Sequence, residues 1–215
     1  MRRIITTIAV AIATICTANA QEIKLGARAG VNFATLPSDE VITTVLGTTT
    51  TVKTEYGFRT GFHFGAFAEY GFNDKLFLEA GISYSSQGAK LKSIETTTKS
   101  PLGTISGKVN VDDTTTILNQ LNVPIWLKYD FAGFRPKVGL NFGYLANMKA
   151  KTSDKTESVD PDKRFDFGIG IGAEYNLDMG LFFDANFTYG LTNLSNNNDS
   201  PLKNRVIQIG VGYKF

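Results

Sequence analysis

The chain has 215 residues, 42% of them hydrophobic and 20% charged, with 22 basic and 20 acidic groups. That length suits one domain, and the near balance of charge excludes the basic excess on which nucleic-acid binding depends. The 21 Gly and 16 Phe point to β-structure with tight corners and belts of aromatic side chains.

Met1-Arg2-Arg3 is a basic start, followed by a short apolar run that ends at Cys16. Ala18-Asn19-Ala20 then offers small residues for cleavage before Gln21, so 1–20 is expected to be a secretory signal peptide and 21–215 the mature domain. The run is too short to span a bilayer comfortably. The leader holds two of the 22 basic groups and no acid, which leaves 20 of each sign in the mature chain. Cys16 is the single cysteine, and Ile15 precedes it where a lipoprotein signal has Gly or Ala. Disulfide and thiol chemistry are therefore not expected.

Residues 23–33 alternate, with Leu25, Ala27, Ala29, Val31 and Phe33 on one face and Lys24, Gly26, Arg28, Gly30 and Asn32 on the other. A Thr-rich connection over 36–56 leads to the strongest pattern in the chain, 58–85. There Phe58, Phe62, Phe64, Tyr70 and Phe72 oppose Arg59, Gly61, His63, Gly65, Glu69 and Gly71. Asn73-Asp74-Lys75 turns the chain, and the alternation resumes with Leu76, Leu78, Ile82 and Tyr84 against Glu79, Gly81, Ser83 and Ser85. Phe67 and Phe77 are exceptions on the polar face.

A second long connection covers 87–119. Strands follow at 121–131 and around 137–144, joined by Ala132-Gly133, with Trp126, Lys128, Lys137, Gly139 and Gly143 on the polar face. Pro124 lacks a ladder donor, so a bulge or local break is expected there. After a third connection, 151–164, the clearest alternation sets Phe165, Phe167, Ile169, Ile171 and Tyr175 against Asp166, Gly168, Gly170, Gly172 and Glu174. Asp178-Met179-Gly180 turns into Leu181, Phe183, Phe187 and Tyr189, opposed by Phe182, Asp184, Asn186 and Thr188. A polar loop over 193–204 precedes the last strand, 207–215.

The result is eight strands, most of them near the roughly 9–11 residues that a tilted strand needs to cross a bilayer. The connections alternate long and short, as they do in an all-β, antiparallel, up-and-down transmembrane barrel with tight periplasmic turns and longer external loops. Closure follows because an open edge in hydrocarbon leaves backbone groups unpaired. Tyr70, Phe72, Tyr129, Phe131, Tyr175, Tyr213 and Phe215 fall near the short turns; Phe33, Phe58, Tyr84, Tyr144, Phe165 and Tyr189 fall near the other end. These form two interfacial girdles. A soluble lipocalin-type barrel shares the alternation, but its outer face would need more charge and fewer glycines than this polar face carries. The chain is too short for a porin-sized ring. The expected location is the outer membrane of a Gram-negative bacterium.

Gly30-Val31-Asn32-Phe33, Leu121-Asn122-Val123-Pro124 leading to Lys128-Tyr129, Gly139 to Gly143, and Gly190-Leu191-Thr192-Asn193 resemble the PorT-like outer-membrane β-barrel family across essentially the whole mature chain. The resemblance implies a small outer-membrane barrel and no reaction. Its named member belongs to a protein-secretion system, which makes a secretion-linked role an alternative. Phe215 resembles the aromatic ending read by the barrel assembly machinery. Outer-membrane lipid and that machinery are therefore expected partners, together with an unidentified envelope or extracellular one, for a chain read as a monomer without cofactor.

No metal-ligand spacing, phosphate-binding loop or nucleophile elbow stands out, and the glycines at 168, 170 and 172 alternate along a strand instead of opening a helix. Asp113-Thr114-Thr115 resembles an O-glycosylation acceptor on a loop. Pairing residue 72 with 76 puts His63 opposite Ser85, a base and nucleophile for a lipid hydrolase; no acid to orient the ring is evident, and the catalytic reading is not adopted. The same pairing faces Glu69 with Glu79. Pairing 131 with 134 faces Lys128 with Lys137, and 177 with 181 faces Glu174 with Asp184. With Lys214 and either Lys24 or Arg28, these groups are expected to form one neutral ionic layer in the periplasmic half. Glu79 with Lys128 and Lys137 with Glu174 are the expected cross-strand pairs.

Overall fold

Short turns fix the pairing of the strands. Asn73 Oδ1 accepts from the backbone N–H of Lys75 at 2.9 Å and of Leu76 at 2.8 Å, closing the first hairpin. Ala132 and Gly133 both adopt positive φ, 52° and 93°. There Asp130 Oδ1 accepts from Gly133 N at 2.8 Å, bracing the second. In the third, Gly180 supplies a φ of 86°, which costs a residue without Cβ nothing.

The computed structural model describes residues 23–111, 114–152, 155–196 and 202–215. The leader expected at 1–20 and Asp113 of the glycosylation-like triplet lie outside them. Eleven strands form a single sheet: β1 Ile23–Thr35, β2 Asp39–Val45, β3 Thr48–Gly71, β4 Leu76–Ser100, β5 Gly103–Asn110, β6 Thr115–Tyr129, β7 Phe134–Lys151, β8 Thr156–Val159, β9 Phe165–Asn176, β10 Leu181–Gly190 and β11 Arg205–Lys214. Eight of them close an antiparallel ring in the order β1, β3, β4, β6, β7, β9, β10, β11 and back to β1. The ladder runs from Ala34 through Val206, Thr188, Gly170, Gly139, Trp126, Glu79 and Glu69 to Lys24, so one circuit advances ten positions (34 − 24) along β1. That stagger fits strands tilted by roughly 40° in an eight-stranded barrel.

The hairpin registers follow the turns: Glu69 faces Glu79, Lys128 faces Lys137, and Glu174 faces Asp184. At Pro124 the β4–β6 ladder lapses between Ala80↔Ile125 and Ser83↔Asn122 and resumes in the same register, a local break with no bulge. The alternation sorts the faces. Ile82 is 67% exposed and Ile171 62%, while Phe182 and Glu79 are fully buried. Tyr70 with Phe72, Tyr129 with Phe131, and Tyr213 with Phe215 make ring contacts of 5.1, 4.7 and 5.4 Å around the short-turn rim. This is the lower girdle.

The long connections depart from expectation. Residues 36–56 and 87–119 are largely strand: β3 and β4 run for 24 and 25 residues, more than twice what a crossing needs. Above the ring, β2, β3, β4 and β5 make a four-stranded sheet stocked with β-branched Thr, which suits an extended backbone with both faces wet. Glu55 accepts from Ser93 Oγ at 2.9 Å and pairs with Lys108 at 3.4 Å, tying β3 to β4 and β5. The Ser93 hydrogen bond, aided by the Lys108 ammonium, holds this carboxyl below its usual range.

Candidate functional site

Every second side chain of the ring points into one interior, and the inward set sorts into three levels. Nearest the short turns is an ionic layer. Lys128 on β6 is 1% exposed, and its Nζ lies 2.7 Å from Glu69 on β3, 2.6 Å from Glu79 on β4 and 2.7 Å from Glu174 on β9. Lys214 on β11 reaches Glu69 at 3.0 Å and Glu174 at 2.6 Å. Lys137 on β7 pairs with Asp184 on β10 at 3.1 Å. Arg28 on β1 joins Asp184, at 3.1 Å, to Glu79. The eight groups are four acids and four bases.

The structure therefore brings Glu79 to Lys128 but takes Lys137 to Asp184 instead of Glu174. The stagger explains the exchange: Glu174 lies across the ladder from Arg135, while Lys137 faces Gly172. Of the two candidates on β1, Arg28 enters the layer and Lys24 stays exposed at the rim. Arg135, which shares the inward parity of Lys137, extends the network to Glu69 at 3.0 Å and to Asp130, adding one acid and one base. Carboxylate oxygens of Glu69, Glu79 and Glu174 lie within 4.8 Å of one another, a metal-like grouping. The Lys128 ammonium sits among them and takes the cation's place.

Aromatic side chains on the inner face lid these charges. Arg28 lies 4.4 Å from the Phe67 ring centre, Lys137 5.0 Å from Trp126, Lys214 5.2 Å from Phe182 and Arg135 4.0 Å from Phe77. Cation–π contacts of this kind strengthen as water is removed. The glycines make the room: a Cβ on Gly26 would come within 2.3 Å of the Phe67 ring, and one on Gly212 within 2.2 Å of Phe182. Phe67, Phe77 and Phe182, the odd members of a polar face in sequence, are thus part of the filling.

The middle level is polar, with one acid, Asp166, and one base, Arg59, whose guanidinium donates to Gln87 O at 2.9 Å and to Ser86 Oγ at 3.2 Å. His63 Nδ1 lies 2.7 Å from Asn32 Oδ1, an acceptor, so the ring donates there. Asn32 Nδ2 donates to Ser85 Oγ at 2.9 Å, and Gln87 Nε2 donates to the same oxygen at 2.8 Å. His63 and Ser85 are ladder partners, yet Asn32 stands between their polar atoms. This arrangement holds a serine in place and gives it no base. Further round, Gln120 Nε2 donates to Asp166 Oδ2 at 3.1 Å.

Toward the outer end the inward face turns apolar: Leu36, Ala89, Leu118, Leu145 and Leu194 are buried together, with Tyr56, Met148 and Leu202 against them. The sequence reading missed this cap, because Leu118 fell within a supposed loop. Its inward parity with Gln120, Asn122 and Trp126 was the available signal. Asp166 is inward on the same count.

A closed eight-stranded ring, apolar toward lipid and filled by ion pairs within, is an integral outer-membrane β-barrel. The chain belongs to the outer membrane protein beta-barrel domain family, which matches residues 6–215, and its location is the outer membrane of a Gram-negative bacterium. No curated protein matches the sequence. Among solved structures, Neisserial surface protein A is 16% identical over 89% of this chain and 97% of its own, at a TM-score of 0.54. Ail, the attachment invasion locus protein of Yersinia pestis, is 15% identical over 91% of this chain and 100% of its own, at 0.47. OprG from Pseudomonas aeruginosa is 20% identical over 89% and 95%, at 0.40. At 16% identity the likeness to Neisserial surface protein A speaks to fold alone.

Proposed function

We propose that this chain is a non-conducting, non-enzymatic barrel that anchors an interaction surface outside the membrane. The observation that carries the reading is the filled lumen: Lys128 bonded to three carboxylates at 2.6–2.7 Å, under a polar level and an apolar cap. A solute path needs water where these groups exclude it. What remains available is the outer sheet, where β5 is exposed along its whole length and Ile42, Val45, Leu46, Leu102, Ile105 and Val109 are all exposed. Among the described residues β2 and β5 are the two edges of this sheet, each paired on one side alone, and edges that carry exposed apolar side chains are where another chain can add. The partner class is an envelope or extracellular protein.

The finer kinship and biogenesis belong to the same proposal: a PorT-like member, exported by a cleaved leader over 1–20, inserted by the barrel assembly machinery and working as a monomer. The motifs around Asn32, Pro124 and Leu191 support the kinship. A secretion-linked role is compatible with it and is tested by whether deletion changes the set of exported proteins. Lipid hydrolysis through His63 and Ser85 is disfavoured by the intervening Asn32 and by the complete burial of Ser85. The decisive experiment is single-channel recording in a planar bilayer. The expected result is no steady open level; large, stable conductance from the wild type overturns the reading.

A further inference from the structure

Above the ionic and polar levels, the outer mouth of the barrel encloses an apolar space. A cavity of about 140 Å³ lies among Leu118, Leu145, Met148, Val159, Leu194 and Leu202. The ladder builds one wall: Leu118 on β6 pairs with Met148 on β7, and Met148 pairs with Val159 on β8, so one row of three side chains shares a face. That face is inward, because Leu118 is buried in the apolar cap. Leu194 and Leu202 stand on a different segment, where Leu194 N bonds Leu202 O at 3.0 Å. Asp160, Pro161 and Asp162 complete the lining.

Hydrogen bonds hold this frame in shape. Leu145 N donates to Arg164 O at 2.7 Å, Asn196 N to Asp162 Oδ2 at 3.0 Å, and Lys163 Nζ to Ser195 O at 3.3 Å. The charges of the rim are thereby engaged with their neighbours, and Arg164 lies 3.8 Å from Asp160. Two acids and two bases along 160–164 leave no net charge to select an ion. The side chains inside are hydrocarbon and one thioether. Water finds no partner on such walls, and a space left empty forfeits dispersion contacts on every side. An engineered apolar cavity of about 150 Å³ stays dry and takes up benzene. The flexible, polarizable Met148 suits the edge of an aromatic ring.

We propose that this cavity binds one small neutral apolar molecule, of the size of a single aromatic ring. Its exposed rim is at Val159 and Asp160, and three of its walls, Leu118, Leu145 and Leu194, belong to the buried cap that closes the lumen. The ligand is therefore held at the mouth and not passed inward. The site stands apart from the β2 and β5 edges, so the barrel itself is a receptor as well as an anchor.

The test uses the mature barrel in phosphatidylcholine nanodiscs, with its methionine methyl groups labelled with carbon-13. Met148 lines the cavity, whereas Met179 sits in a short turn at the other end and is 70% exposed. One signal therefore reports the site and the other the surroundings, and Met148→Leu assigns them. Titration with toluene should shift the Met148 methyl to a plateau and leave Met179 in place. Triisopropylbenzene, which enters lipid but exceeds the cavity, should shift neither. A Met148 response that is absent, that never saturates, that Met179 shares or that triisopropylbenzene reproduces overturns the site. Leu194→Phe, which fills the space from its own wall, should lose the plateau; a variant that responds like the wild type also overturns the site. Should Leu194→Phe not assemble, the comparison of the two ligands on the wild type decides alone.

Discussion

Lys128 is the residue on which the interior turns. A lysine this deep is tolerable only because three carboxylates surround it, and removing one member of a desolvated pair typically costs about 3–5 kcal/mol. Lys128→Ala is expected to lose about that much in urea unfolding from micelles, since two or three like charges would then face each other. Adding Glu79→Ala should recover only a minor part, because Glu79 also serves Arg28. Adding Glu174→Ala should recover a similar share, since Lys214 still has Glu69 as a partner. A single variant as stable as the wild type would mean that water reaches this level and screens it.

The strands show where sequence reasoning succeeds. Turn residues such as Asn73, Ala132 and Gly180 fix the pairing of each hairpin, and from there a period of two decides every side chain's face. Three hairpin registers in the ionic layer were legible for that reason. The pairing between hairpins was not, because the stagger of a closed barrel depends on all eight strands at once; hence Lys137 met Asp184 and not Glu174. The Thr-rich extensions were illegible for a different reason. With both faces in water, Val52, Ile94 and their neighbours carry no alternation that sets them apart from loop. Neighbouring positions on β9 test the sorting of faces. Ile171→Phe should be neutral in lipid, and Ile171→Arg should cost about 2–4 kcal/mol of insertion stability. Gly170→Ala should cost about 1–3 kcal/mol by overpacking, since its Cβ would come within 2.5 Å of Trp126. A band-shift gel of unboiled samples reads all three, and indifference to Ile171→Arg would reverse the assigned faces. In the outer sheet, Glu55 carries a lowered carboxyl pKa. Its tie to Ser93 and Lys108 therefore contributes fully above the ordinary carboxylate range and is lost as pH falls below that range, through the lowered pKa. The protection of β5 amides against hydrogen exchange, corrected for the intrinsic pH dependence of exchange, should fall on acidification in the wild type, and Glu55→Gln should lose most of that dependence.

At the scale of the molecule, the ring and the outer sheet share two strands but need not share stability. The β4–β6 ladder that closes the ring runs from Leu76↔Tyr129 to Lys90↔Thr115, and the β4–β5 ladder begins beyond it at Ser93↔Asn110. Between them, Val111 N already bonds Lys92 O at 2.9 Å, so the two ends of the hairpin meet as they leave the barrel. Removing 93–110 and joining Lys92 to Val111 through a tight turn therefore deletes no ring hydrogen bond, and closing so short a gap costs little entropy. The shortened barrel is expected to fold, to shift on an unboiled gel like the wild type and to stay non-conducting. It should lose the partners that crosslinking captures on the wild type in intact cells, because the apolar residues Leu102, Ile105 and Val109 leave with the hairpin. If it assembles and keeps every captured partner and every wild-type phenotype, the hairpin is a spacer and the interaction reading moves to β2 or fails. If it does not assemble, the outer sheet is part of the folding unit, and the separation of anchor from surface is wrong.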